Sequence, residues 1–289
     1  MDDHILICTD LDRTLIPNGP QPESPQARDR FRTLVARPEV TLAYVSGRHR
    51  ALIQQAITNY RLPFPDFVIG DVGTTLYQVS KDGTQWTPES TWQKVISQDW
   101  AGHSRADIKV LLTDLSALRQ QEPAKQNDFK LSYYVPLQSD LQALSEGIDK
   151  RLSGRGIAAR QIWSVDEPAG VGLLDILPAR ASKLHAIDAL MHAQHFTRED
   201  TVFCGDSGND IEVLASHVKA VLVGNAQAQV RAEASRLAAA EGHSERLYIA
   251  QGGYLGMNGN YSAGMLEGIA HYFSFVTDWL LAAEKENQA

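Results

Sequence analysis

Short runs of Ile, Val and Leu recur along the chain, and longer segments with a helical period separate them. HILIC (4–8), VTLAYV (40–45), DFVIG (66–70), LLDIL (173–177), TVFCG (201–205) and KAVLVG (219–224) are nearly apolar throughout rather than alternating. A strand reads this way when both faces of its sheet are covered, which is the situation in parallel sheets flanked by helices. Between the runs, 24–36 offers Ser24 as an N-cap with Pro25 in the first turn. The segment 182–195 has Ser182 as N-cap and an apolar stripe at Leu184, Ile187, Leu190 and Met191. Further helices are expected over 226–241 and, as a single closing helix with a charged tail, over 261–289. The fold class is therefore α/β, a doubly wound parallel-sheet core of Rossmann-like type.

The middle of the chain breaks this alternation. LYQVSKDGTQW (76–86) reads as a hairpin turning at Asp82-Gly83, and two amphipathic helix patterns follow at 90–102 and 104–120. A strand at 129–136, a helix from Ser139 to about Leu152 and a strand at 156–165 complete an α+β insert. With 289 residues, at about 150 per domain, there is room for two domains. The expected division is a core domain of 1–79 and 173–289 with an inserted α+β cap domain at 80–172.

Composition excludes several classes of function. Apolar residues at 43% and charged residues at 21% are an ordinary globular mixture, and a net charge of −8 argues against nucleic-acid binding or attraction to anionic membranes. No apolar run approaches the 18 or so residues needed to span a bilayer, and MDDHILICTD lacks the form of a targeting peptide. Two cysteines, Cys8 and Cys204, in apolar segments make no disulfide framework, so a cytoplasmic location is expected. No unpaired apolar face stands out, and a monomer is expected.

Polar clusters sit where the apolar runs end. Asp10-Leu11-Asp12-Arg13-Thr14 follows HILIC, and Gly205-Asp206-Ser207-Gly208-Asn209-Asp210 follows TVFCG. Ligands of open parallel sheets bind beyond the carboxyl ends of strands, so four carboxylates gathered there repel one another unless a cation neutralises them. Hard oxygen ligands suit Mg²⁺. Ser46-Gly47-Arg48 closes VTLAYV with a hydroxyl and backbone N–H groups suited to an anion. Lys183 opens a helix, where a cation opposes the helix dipole, and a bound anion would account for it there.

DLDRT (10–14), SGR (46–48), Lys183 and GDSGND (205–210) together resemble the four motifs of the haloacid dehalogenase superfamily of phosphatases, in order. The insert resembles the cap of its Cof-like (IIB) branch. VGTTLY (72–77), FKLSYYV (129–135), LDILP (174–178), CGDSGND (204–210) and AGMLEGIAHYF (263–273) are similar to the sucrose-phosphate phosphatases, and PDFVIGDVGTTLY (65–77) also resembles the mannosylfructose-phosphate phosphatases.

This resemblance implies a Mg²⁺-dependent sugar-phosphate hydrolase in which Asp10 is the nucleophile, forming an aspartyl-phosphate, and Asp12 the general acid and base with a pKa raised by neighbouring carboxylates. It implies metal ligation by Asp10, Asp12 through its carbonyl, and Asp206, with Asp210 orienting the shell. Ser46, Gly47, Lys183 and Asn209 would hold the phosphoryl oxygens. Arg48, Thr74, Lys130, Ser132 and Tyr133 are candidate contacts to the leaving sugar. In place of the family's polar pair before Asp175 the chain has Gly170-Val171-Gly172-Leu173-Leu174. A sugar-phosphate synthase is a candidate partner, and a catalytically silent binding role the competing reading.

Overall fold

The computed structural model describes residues 4–166 and 169–286. Its strands are β1 (Ile5–Thr9), β2 (Val40–Val45), β3 (Phe67–Gly70), β4 (Thr75–Val79), β5 (Trp86–Pro88), β6 (Arg119–Gln120), β7 (Leu131–Val135), β8 (Ala159–Asp166), β9 (Val171–Pro178), β10 (Thr201–Gly205), β11 (Lys219–Leu222) and β12 (Leu247–Ile249). Eight of them form one sheet in the order β12-β11-β10-β1-β2-β3-β4-β5. The six from β12 to β3 run parallel, and β4 and β5 add an antiparallel hairpin at the edge. Both faces of this sheet are covered, as the apolar runs require. Ile5 and Ile7 of β1 pack into one cluster with Phe31, Tyr44 and Leu266, while Leu6 and Cys8 join Ile69, Phe203 and Ile187 on the other side.

The order of the strands creates the site. From β1 the chain moves outward to β2 and β3, and after the insert it returns to build β10, β11 and β12 on the opposite side of β1. Such a reversal opens a crevice at the carboxyl ends of the central strands. Asp10 and Asp206 therefore emerge side by side, held by Asp10 N–H donating to the Cys204 carbonyl at 2.8 Å.

The remaining four strands form an antiparallel sheet in the order β6-β7-β9-β8, backed by the helix Leu141–Ser153. Here the sequence expectation needs correction. LLDIL lies in β9, the centre of this small sheet, paired with β7 and β8, and is no strand of the parallel core. Its apolar run reflects burial between two strands and the cluster of Leu131, Val135, Leu174 and Ile176, which periodicity cannot distinguish from a core strand. Conversely Trp86–Pro88, placed in the cap by a boundary at 79/80, pairs with β4 in the large sheet. The crossings between sheets thus fall after Pro88 and after Pro178.

Three helix expectations also shift. The pattern at 104–120 forms a helix only over Arg105–Leu111, with Ser104 and Asp107 making a capping box, because Arg119 and Gln120 pair instead with Tyr134 and Tyr133. The stretch 261–286 is two helices, Tyr261–Tyr272 and Phe275–Glu286. Phe273 leaves helical angles between them while keeping its ring in the core. The charged residues expected in a tail, Glu284, Lys285 and Glu286, belong to the second helix, and 287–289 lie outside the described residues. Ser24 does not cap its helix, which starts at Ala27; its hydroxyl accepts from Asn258 N–H at 2.9 Å.

Candidate active site

Lys183 is the electrostatic centre of the crevice. Ser182 caps its helix by accepting from His185 N–H, which fixes the first turn beside Asp10. The buried Lys183 Nζ donates to Asp10 Oδ1 at 3.0 Å, Asp210 Oδ1 at 2.7 Å and Asn209 Oδ1 at 3.0 Å. Gly73 makes this approach possible, since a Cβ there would lie 2.4 Å from the Ser182 carbonyl group. Asp210 is fully buried, and its second oxygen accepts from the N–H groups of Asp206 and Ser207, both at 3.1 Å. It is a scaffold for the 205–210 loop as well as a charge. Gly205 is required beneath it, because a Cβ would meet the Asp210 carboxylate at 2.7 Å. Gly208 has open space around it and no positive φ, so the fold does not require glycine there.

Burial pushes the Asp10 carboxyl up to about 7; Lys183 opposes that rise, and the Asp210 and Asp206 charges add to it. Asp206 is pushed up to about 6 by burial and Asp210, against the pull of Arg13. One carboxylate oxygen from each of Asp10, Asp206 and Asp210 lies within 4.8 Å of the others. A buried set of hard oxygen donors, carrying more negative charge than Lys183 balances, fits a divalent cation such as Mg²⁺.

Asp12 stands apart from this group. Its two oxygens accept from Arg48 Nε at 2.7 Å and Nη2 at 2.6 Å, and Asn18 donates a third hydrogen bond at 2.7 Å. Partial burial pushes this carboxyl up, but the Arg48 and Asn18 hydrogen bonds and the Arg48 charge outweigh it and hold it below the ordinary range. The expected rise in the Asp12 pKa is therefore reversed, and Arg48 faces a catalytic-motif carboxylate. Ser46 is buried with its hydroxyl accepting from Arg48 N–H at 3.2 Å, and nothing closer than Val72 at 3.9 Å crowds Gly47. The Asn209 side-chain oxygen Oδ1 accepts from Lys183 Nζ and the Ser207 hydroxyl.

The other sugar candidates divide by strand register. Lys130 and Ser132 share a face of the small sheet. Lys130 Nζ lies between Asp71 at 3.7 Å and Asp175 at 3.5 Å, and the Ser132 hydroxyl donates to Asp175. Tyr133, one residue on, points the opposite way into the small sheet's own core with Trp100 and Ile148 and does not face the crevice. Thr74 is buried, its hydroxyl donating to the Asp71 carbonyl and accepting from Asn127. Asp71 and Asp175 went unread in the sequence. Asp71 closes DFVIG as Asp10 closes HILIC, a signal that could have found it, and burial raises its carboxyl. It also takes a positive φ of 50°, an uncommon strain for a non-glycine residue. A cavity of about 650 Å³ is lined by Ile162, Ser164 and Asp175 of the small sheet and by Lys183, Asn209 and Glu212 from the helices beside the large one.

A parallel sheet whose first strand delivers a carboxylate to a lysine and a second acidic loop, with a smaller sheet inserted above, defines the haloacid dehalogenase class of fold. The structure aligns with that of the sucrose-phosphatase from Synechocystis in complex with sucrose and phosphate, with a TM-score of 0.71 and 26% identity over 93% of this chain and 98% of the other. A HAD-like hydrolase of Nitrosococcus oceani is 56% identical over 287 residues, 99% of this chain and 76% of that protein. The mannosylfructose-phosphate phosphatase of Agrobacterium fabrum is 29% identical over 226 residues, 76% of this chain and 83% of that protein. The chain spans 51% of the length of sucrose-phosphatase 1 of Nicotiana tabacum and 33% of the glucosylglycerol-phosphate synthase of Pseudomonas anguilliseptica. Residues 3–273 match the sucrose-6F-phosphate phosphohydrolase family, and the chain belongs to it.

Proposed function

We propose that the chain is a Mg²⁺-dependent phosphomonoesterase that hydrolyses sucrose 6-phosphate to sucrose and phosphate through an aspartyl-phosphate. The observation carrying this reading is the Lys183 Nζ held between Asp10 and Asp210 at the carboxyl ends of neighbouring parallel strands. A pure binding module needs neither a nucleophile nor its counter-charge, which disfavours the silent reading.

In this reading an Asp10 carboxylate oxygen bonds to phosphorus as the bond from phosphorus to the sugar oxygen breaks, and Asp12 supplies that oxygen with a proton. Water then attacks the aspartyl-phosphate, Asp12 takes its proton, and phosphate leaves with Asp10 regenerated. Lys183, Ser46, the Gly47 N–H and the Asn209 amide hold the phosphoryl oxygens. Asp10, Asp206 and the Asp12 carbonyl would hold Mg²⁺, with Asp210 orienting the shell; when bound, the ion supplies positive charge to the reacting phosphoryl group. Asp12 leaves the first step ionised, and the Arg48 hydrogen bonds stabilise that carboxylate until the attacking water returns the proton. Lys130, Ser132 and Asp175 present a polar face of the small sheet to the leaving sugar, and the departure at Gly170–Leu174 keeps mannosylfructose phosphate as the alternative, supported by the Agrobacterium relative. A cytoplasmic location and association with a sugar-phosphate synthase accompany this reading. No helix among the described residues is long and apolar enough to cross a membrane.

The test is phosphate release with Mg²⁺ from sucrose 6-phosphate, mannosylfructose 6-phosphate, trehalose 6-phosphate, glucosylglycerol phosphate and hexose phosphates, with Asp10→Asn alongside. A kcat/KM preference of about a hundredfold or more for sucrose 6-phosphate, lost in Asp10→Asn, is expected. Equal, feeble hydrolysis of all, or an active Asp10→Asn, refutes the substrate or the nucleophile respectively.

A further inference from the structure

The residue after Asp12 is an arginine in an unusual setting. Arg13 has a left-handed φ of 57°, and its backbone is pinned at both ends: its N–H donates to Asn18 Oδ1 at 2.8 Å and its carbonyl accepts from Asn225 Nδ2 at 2.6 Å. Asn225 is itself fixed by Tyr261 N–H at 2.7 Å. With the backbone so constrained, the guanidinium is directed inward. Its Nη2 donates to the Asn225 carbonyl, and its Nε lies 3.3 Å from Asp206 Oδ2. That Nε is buried and makes no hydrogen bond of acceptable geometry, so its charge faces the carboxylate without being spent on a directed bond. Thr14 holds the other Asp206 oxygen at 3.3 Å. Of the three clustered carboxylates, Lys183 serves Asp10 and Asp210, and Arg13 serves Asp206.

We propose that Arg13 is a resident counter-charge of the metal site: it holds Asp206 in place when the site carries no ion and weakens divalent-cation binding, so that the ion exchanges readily. This rests on the proposed Mg²⁺ site at Asp10 and Asp206, with Asp210 beside them. A cation beside a ligand carboxylate repels an incoming dication and must yield part of its interaction to it. Arg13 is a positioning residue here and touches no reacting atom.

The experiment is calorimetric titration of MgCl₂ into chelator-stripped full-length protein, wild type and Arg13→Gln, with Arg13→Lys as the charge-retaining variant. Arg13→Asn serves as a second neutral variant, since asparagine tolerates positive φ better than most residues. The neutral variants are expected to bind Mg²⁺ roughly tenfold more tightly at low salt, with the ratio shrinking as ionic strength rises, and Arg13→Lys to remain close to wild type. Their metal-free melting temperatures should fall while the gain on adding Mg²⁺ grows. Unchanged or weaker Mg²⁺ affinity in the neutral variants, or an Arg13→Lys that behaves like Arg13→Gln, overturns the proposal and leaves the metal site standing. If wild-type protein binds no Mg²⁺ at all, the metal-site reading fails and this inference with it.

Discussion

Replacing Lys183 by methionine tests the electrostatic frame of the crevice. The side chain is buried, its stem fits methionine, and the change deletes one cation from contact with two buried carboxylates. Removing one partner of a buried ion pair typically costs about 3–5 kcal/mol, because the charges left behind have lost their solvent and their counter-ion. At roughly 2–4 °C per kcal/mol for a chain somewhat shorter than this one, the melting temperature should fall by about 6–20 °C. The pH dependence gives the sharper test. Asp10 already titrates near 7 with Lys183 beside it, and losing that attraction raises it further. Protonation then relieves the defect, so urea unfolding in chelator should show a large deficit at pH 8 that narrows by pH 5.5. A loss below about 1 kcal/mol at pH 8, or an equal loss at both pH values, refutes the claim that Lys183 neutralises this cluster.

Three further outcomes follow from the same geometry. In chelated wild-type protein the folded Asp10 and Asp206 carboxyls lie at about 7 and about 6, above their unfolded values near 4, so the folded state binds more protons in that window. Stability should therefore fall as pH rises from about 4 to about 7, and Mg²⁺ should restore it; denaturant midpoints that stay flat across this range contradict the assignment. Arg48→Met removes the partner that holds the Asp12 carboxyl low, so both limbs of the pH–kcat profile should move to higher pH, whereas an unshifted profile would place Asp12 outside proton transfer. Gly205→Ala forces a methyl into the Asp210 carboxylate and should destabilise by about 1–3 kcal/mol, read by thermal melts, while Gly208→Ala, with open space around it, should be tolerated.

What the sequence disclosed about the fold depended on whether the signal was local. The parallel strands are apolar because helices cover both sheet faces, and a run such as VTLAYV carries that information in itself. LLDIL carries the same pattern for a different reason, burial in the middle of a small antiparallel sheet, and no local feature separates the two. Arg119 and Gln120 left their helical pattern because pairing with β7, a tertiary gain, outweighed propensity. In the crevice, Asp10, Asp206 and Asp210 were legible because strand ends mark ligand positions, and Lys183 because a cation in the first turn of a helix calls for an anion nearby. The Asp12–Arg48 pair was not, since it joins residues 36 positions apart and reverses the charge environment expected of Asp12. Tyr133 could have been set aside from strand alternation alone once Lys130 and Ser132 were assigned to one face.

The passage from β9 to Lys183 is only four residues long, Ala179 to Ser182, and it is the return crossing from the small sheet to the large. Asp175 stands on one side of that short tether and the charge centre of the crevice on the other, with Asp99 gripping Arg180 midway by hydrogen bonds of 2.7 and 2.8 Å. Any tilt of the small sheet is consequently delivered to the first turn of the lysine's helix with little slack to absorb it. The connection acts as a drive shaft, and a residue inserted in it would uncouple the small sheet from the lysine's helix.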